Sequence, residues 1–583
     1  MKLDKVVKMA TTTKLQSKFY QKIQFTILVY VFLSYLLSWK MFEFPKSLFA
    51  QKVFETDGIF TQTQIQTLVS GPLFFKNDHL GYPFGFSQWS SPQFSFTDQI
   101  FFKILGKLFN FSNYGYISIL GFIIILINSL TFFWLAKAYE FSISTQYFFG
   151  LLAAVNPYVL NSIMHPHVMK IFIIPVFLIL IKYFSFHKAI SKKEKILIFF
   201  ILISSSLYWV NVFFAIFLIS TFTLVLLKLF GYLKDKKIIT ISLKLFFITS
   251  LTLFFNSIFY LMNKDITGEN GRETWHSDLF SGKFTDILVS SPFINHVFNE
   301  YFEKIKLGAS AESWAMMLGF PLTISFAYIL LIIIGGVFIK LKNDLNFLML
   351  IAIISILLFV TGGLSNLQAA FFAILDSESP MRAWSRVSIL IGSIGLILIF
   401  SALKYFKRWN DSLLLFFTFL LMLDLIFTPR LFNAESNWNE NEYFSSVSYI
   451  KNNLNPCPVL QIPVDTFLVP QGALDKATRY YWTNFTPYIF LPDFKWTSGT
   501  YVGTNGWAYL ANLPTTIDKS DFEQLSQKYC AIYFDKNFSE YQIARKAGLN
   551  FQEGNWPGIK ILNTIRPDFE DSRFAIYLLH ANK

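Results

Sequence analysis

Apolar runs about as long as a bilayer is thick recur between residues 23 and 429. A helix needs roughly 20 such residues to cross the hydrocarbon. Backbone there must hydrogen-bond within its own segment or in a closed barrel. These runs are apolar on all sides rather than alternating, so they read as helices. About eleven candidate spans fall near 23–42, 115–137, 145–162, 168–186, 194–208, 210–230, 239–262, 315–339, 343–361, 385–403 and 411–429. The stretch 194–230 is too long for one helix, and "LYWVN" (Leu207 to Asn211) is the expected break. Composition agrees: the chain is 53% hydrophobic, 15% charged and has 70 phenylalanines, with a mean hydropathy of +0.44. That excludes an ordinary water-soluble domain and a disordered chain.

Lysines set the expected orientation. Lys2, Lys5, Lys8, Lys14, Lys18 and Lys22 precede the first run, which places the N-terminus in the cytoplasm. The charged segment is long and no small-residue cleavage site follows the apolar run, so it does not read as a removed signal peptide. The connections at 187–195, 231–237, 340–344 and 404–411 are short and basic and fall on the same side; 136–146 joins them less decisively. The region 430–583 then lies outside, with 14 Lys/Arg against 15 Asp/Glu. The net charge of +13 therefore belongs to the membrane part and reflects topology rather than nucleic-acid binding. The expected location is the inner (cytoplasmic) membrane of a bacterium.

Four outer regions are too long to be turns: 43–114, 263–314, 362–384 and the C-terminal tail. The first carries "ETDG" (55–58), the amphipathic "IFTQTQIQTLVSG", then "NDHLGYPFGFS" punctuated by Pro83 and Gly85. In 100–109 apolar residues recur at helical spacing, with Lys103 and Lys107 on one face, as in a helix lying in the interface.

This order of elements resembles the GT-C fold glycosyltransferases, membrane enzymes that take a sugar from a polyprenyl-phosphate carrier. Their pattern is a cytoplasmic N-terminus, one span, and a long outer loop with an essential acid followed by two interfacial helices. "ETDGIFTQTQIQTLVSG" matches the acid and first helix, and "SFTDQIFFKILGKLF" the second. "NDHLGYPFGFS", "NPYVLNSIMHPHVMKIFIIP" (156–175) and "SPMRAWSRVSILI" (379–391) are similar to stretches of uncharacterised bacterial members. The resemblance covers about 1–430 and more loosely the tail. It implies a polytopic α-helical membrane domain over 1–430 and an extracytoplasmic α/β accessory domain over 431–583. The implied activity is sugar transfer from a polyprenyl-phosphate donor to a glycan, lipid or protein acceptor, with membrane lipid as surroundings. Asp57 is then the base of an inverting displacement.

Such a displacement needs one base for the acceptor hydroxyl, not the flanking carboxylate pair of retaining hydrolysis. Glu55 shares a side with Asp57 if the segment is extended. The two are candidates for a divalent cation such as Mg or Mn, although two ligands are a weak metal signal. Asp78 and Asp98 compete as second acid, Asp98 also fitting a helix N-terminal charge.

Arg382 and Arg386, four apart, would share a helix face and suit the donor phosphate. The alternative is that they reach lipid headgroups or pair with Asp376 and Glu378. His79 and Tyr82 are substrate-binding candidates because their loop also carries Asp57. His165, His167, Trp275 and His276 are further ones, against ordinary turn or interfacial roles. Asp424 lies inside the last span, where an acid is costly and needs a partner or a function; a lysine near the outer face is one candidate.

In the tail, "PVLQIPV" (458–464), "CAIYFD" (530–535) and "GIKILNT" (558–564) read as strands, and "NEYFSSVSYIKNN" and "KSDFEQLSQKYC" as helices. Cys457 and Cys530, the only cysteines, precede or open two of these strands and are a candidate disulfide if the strands are neighbours. The other class of function is a non-catalytic transporter or assembly factor. Transporters favour midplane sites in repeated halves, and no internal repeat is evident here. A tag at the N-terminus should be shielded from protease in intact spheroplasts while the tail is cut; cleavage of the tag would overturn the topology.

Overall fold

A computed structural model describes residues 24–49, 57–72, 77–83, 85, 94–162, 165–186, 188–233, 236–262, 292, 294, 296–297, 318–335, 343–360, 364, 384–403, 407–428, 440–462, 486–497, 516–517, 519–536, 560–561 and 565–579. The apolar runs form helices α1 (Gln24–Phe42), α4 (Asn113–Ala138), α5 (Ile143–Val155), α8 (Ile173–Ser185), α9 (Lys192–Ile203), α10 (Leu207–Leu229) and α11 (Lys236–Met262). They continue with α12 (Phe320–Ile334), α13 (Asn343–Phe359), α14 (Ser388–Leu403) and α15 (Lys407–Phe427). Two shorter helices precede α4: α2 (Asp57–Ser70) and α3 (Phe96–Leu108). Residues 61–68 of α2 are buried on all sides, polar Thr61, Gln62, Thr63 and Gln64 included, so the expected amphipathic stretch packs inside the protein. Short pieces α6 (Pro157–Asn161) and α7 (Pro166–Met169) follow α5. Among the described residues, α1, α4, α10, α11 and the stretch Pro166–Ser185 are long and apolar enough to cross a membrane.

Local chemistry sets the helix starts. Hydroxyls of Ser112, Ser142 and Ser206 accept the N-terminal backbone N–H groups of α4, α5 and α10. Ser191 with Glu194 closes a capping box on α9, and Ser95 with Asp98 does so on α3. The break in 194–230 falls at Ser204–Ser206, not at Leu207–Asn211, because Ser206 caps α10 ahead of the aromatic pair. Helix α8 is apolar on every side and buried on nearly every side, so it forms the middle of the bundle. Helices α12 and α14 approach closely because Gly392 and Gly395 face Leu322 and Ser325. A methyl on Gly395 would fall on the Ser325 carbonyl.

The tail contains a five-stranded sheet in the order β2 (Lys495–Trp496), β1 (Pro458–Ile462), β4 (Ala531–Asp535), β7 (Phe574–Leu578), β6 (Phe569–Glu570). Strands β2, β1 and β4 are parallel, and β7 runs antiparallel to β4 and β6. Helices α16 (Glu440–Asn453), α17 (Thr486–Phe490) and α18 (Lys519–Ser526) accompany it. The expected strand at 558–564 is only β5 (Lys560–Ile561), paired with β3 (Thr516–Ile517) in a separate small sheet. The expected neighbours β1 and β4 are adjacent, and Cys457 and Cys530 at their starts are joined by a disulfide.

The tail does not stand apart from the first loop. Trp496 N–H donates to the His79 carbonyl (2.9 Å) and Tyr82 N–H to the Trp496 carbonyl (3.0 Å), so 79–82 lies along the edge of β2. Ile59 of α2 and Leu80 are buried in one cluster with Tyr443, Val459, Tyr488 and Trp496. Asn77 Nδ2 donates to the Tyr488 hydroxyl (2.5 Å), which also lies 3.4 Å from the Thr67 and Ser70 hydroxyls. Asn113 at the start of α4 donates to the Ile489 carbonyl.

Burial pushes the Tyr488 and Tyr533 phenols above their usual value, against the hydrogen bonds they make. A raised folded-state pKa gives stability that is complete below the unfolded value, about 10, and is lost as pH rises through the folded value. The clasp between tail and loop should therefore weaken above about pH 10, read as faster amide exchange at 77–82. Tyr488→Phe should lower stability by about 1–3 kcal/mol at neutral pH and reduce that alkaline loss. An unchanged alkaline profile in the variant would contradict this account.

Candidate active site

One end of the bundle gathers basic and aromatic side chains from separate elements. His165 and His167 flank Pro166 at the start of α7, their ring centroids 5.7 Å apart. The His167 ring lies 6.2 Å from that of Tyr208, in the first turn of α10. Arg386, in the 3-10 turn Trp384–Val387 ahead of α14, is 7% exposed and holds its guanidinium 5.5 Å over the same Tyr208 ring. Among the described residues nothing hydrogen-bonds the buried Nδ1 of His167. The sequence reading therefore has three of its candidates, His165, His167 and Arg386, in one place. Tyr208 was missed because an aromatic in an apolar run looks like core.

Behind this cluster lies Lys170, also missed although it is a lysine inside an apolar stretch. Its ammonium donates to Asp98 and Ser95 at the start of α3 and to the Ser204 carbonyl at the end of α9. Asp98, a candidate second acid or metal ligand, is thus the buried partner of Lys170 and of its own helix cap.

Asp57 is the first residue of α2. The far end of α2 is tied to α3: Lys103 donates to the carbonyls of Val69 and Gly71, and a methyl on Gly106 would come within 2.6 Å of the Val69 side chain. Burial, with Lys107 nearby, holds Lys103 below the usual lysine value.

Asp78 is exposed. His79 Nδ1 lies 3.0 Å from the Asp493 carbonyl, and the Tyr82 ring packs edge-on to Tyr529 with Lys495 above it. His79 and Tyr82 are therefore part of the seam between loop and tail. Glu55, Arg382, Trp275 and His276 lie outside the described residues. Among the described residues no three His, Cys, Asp or Glu side chains gather as a metal set.

Asp424 meets a helix end. Its carboxylate accepts the Phe320 N–H at the start of α12, next to Gly319 at φ +75°. Asn156 holds the adjacent Leu318 carbonyl (2.7 Å). An acceptor at a helix N-terminus satisfies a backbone N–H that has no partner within the helix, and Asp424 does this at 0% exposure.

No protein-family model matches the chain, and no curated protein matches it. Among solved structures, ArnT from Cupriavidus metallidurans in the apo state is similar over 97% of this chain and 99% of its own, at 11% identity and a TM-score of 0.44. The same protein bound to undecaprenyl phosphate is similar over 96% and 98%, at 9% identity and a TM-score of 0.37. Likenesses this distant carry no weight in assigning chemistry to this chain. Asp424→Ala should cost about 1–3 kcal/mol by stranding the Phe320 N–H. The check is a lower melting temperature in detergent, and wild-type melting would contradict the capping role.

Proposed function

We propose that the protein is an integral-membrane glycosyltransferase that moves a sugar from a polyprenyl-phosphate donor to an acceptor hydroxyl on the extracytoplasmic side. The observation that carries the reading is the meeting of His165, His167, Tyr208 and Arg386 at one bundle end. Its support is chemical. A lipid-linked sugar leaves as a phosphate, and a guanidinium with two imidazoles offers the donors that such an anion needs. Arg382, four residues before Arg386, belongs to the same proposal, as does the resemblance of the first loop to GT-C enzymes.

Asp57 takes the acceptor proton while the hydroxyl oxygen attacks the anomeric carbon. The bond from that carbon to the phosphate oxygen breaks, and the electron pair leaves on the phosphate. Inversion follows from the single displacement. With a stabilised leaving group, catalysis depends mainly on orientation and on fixed charge around the phosphate. The acceptor is a glycan, a lipid or a protein. In this reading the tail, clasped to α2 and residues 77–82, guides it. A divalent cation would depend on Glu55 beside Asp57.

Purified protein in lipid, offered a panel of polyprenyl-phosphate sugars with candidate acceptors, should release polyprenyl phosphate. Asp57→Asn should fall by about 10²–10⁴-fold in turnover, the range of a lost general base. Arg386→Ala should raise the donor KM by about tenfold or more, as for a lost charge-assisted hydrogen bond. Equal release by wild type and Asp57→Asn removes Asp57 from the reaction.

A further inference from the structure

We infer that Lys170 and Asp98 are positioning residues for the basic cluster: their buried ion pair fixes the segment His165–Lys170 against α3 and the end of α9. What the cluster holds rests on the donor reading above; the lock rests on the contacts themselves. An ammonium has three N–H groups. Those of Lys170 have three acceptors, the Asp98 carboxylate, the Ser95 hydroxyl (3.2 Å) and the Ser204 carbonyl (3.1 Å). The side chains are 2% and 9% exposed. Lys170 is therefore fully engaged within the protein, and the anion-binding donors belong to its neighbours.

The rest of the segment is pinned in the same manner. The His167 carbonyl accepts the Ser206 hydroxyl (2.6 Å), the Val168 carbonyl the Trp209 indole N–H (3.0 Å), and the Met169 carbonyl the Asn128 amide (3.0 Å). Four successive residues are thus tied to α10, α4, α3 and the end of α9. Helix α7 has four residues and cannot hold itself in register. A buried ion pair is weak evidence for stability, because a well-packed apolar pair often replaces it without loss. Its use here is register. Asp98 stands on the helix tied to α2, and Lys170 three residues after His167, so the pair joins the loop that carries the acid to the segment that carries the histidines. A site needs such a supporting shell to keep its geometry.

The test compares wild type with the double variant Asp98→Leu and Lys170→Met in nanodiscs, reading melting, amide exchange at 165–170 and binding of polyprenyl phosphate. The expected result is melting with the wild type, exchange at 165–170 at least tenfold faster, and affinity at least tenfold weaker. Unchanged exchange overturns the lock, and faster exchange with wild-type affinity overturns the positioning role. If the wild type binds no polyprenyl phosphate, the donor reading fails, and the exchange arm alone decides the lock. Should the double variant not fold, Asp98→Asn, which keeps the side-chain shape at the start of α3 and removes the ion pair, decides by the same readings.

Discussion

Hydrocarbon offers no water to a broken helix, so each interruption in the bundle has to bring its own hydrogen-bonding partner. That constraint accounts for the buried polar side chains better than chemistry does. Asn156 and Asp424 serve the Leu318 carbonyl and Phe320 N–H at the start of α12. Asn128, Trp209 and Ser206 serve three successive carbonyls of α7. Lys170 serves Ser204, where α9 stops. Breaks are where a membrane bundle can present irregular backbone, and the one at α7 lies beside the basic cluster.

Where the first loop meets the tail a second constraint takes over. Helix α2 presents Ile59 to the tail, and Leu80 follows it into the same cluster. Residues 79–82 occupy the edge of β2, which has no other partner on that side among the described residues. Tyr488 carries a buried hydroxyl whose partners among the described residues all come from the first loop. The first loop and the tail are therefore parts of one packed body, and removing the tail would expose the apolar face of the loop that carries Asp57.

Much of this was legible from composition and spacing. The apolar runs, helix α3 and strands β1 and β4 follow from periodicity, whereas α2 buries the polar residues Thr61, Gln62, Thr63 and Gln64 and has no solvent face over 61–68. The adjacency of β1 and β4 brought Cys457 and Cys530 into bonding range. What was not legible depends on tertiary partners. The place of Asp98 at a helix start was legible and it does close the cap of α3, but its burial against Lys170 was not, while Asp78 is exposed. Asp424 called for a partner, but a backbone N–H far along the chain carries no signature. Strand β7 was missed although "RFAIYLLH" is an apolar run behind the turn residues Asp571 and Ser572, and His79 read as a ligand because its loop also carries Asp57.

The most direct test is a structure of the protein with polyprenyl phosphate bound. The account predicts the phosphate within hydrogen-bonding distance of Arg386 and of His165 or His167, with Lys170 still on Asp98. A headgroup held elsewhere, with the cluster closed on protein groups alone, would contradict it.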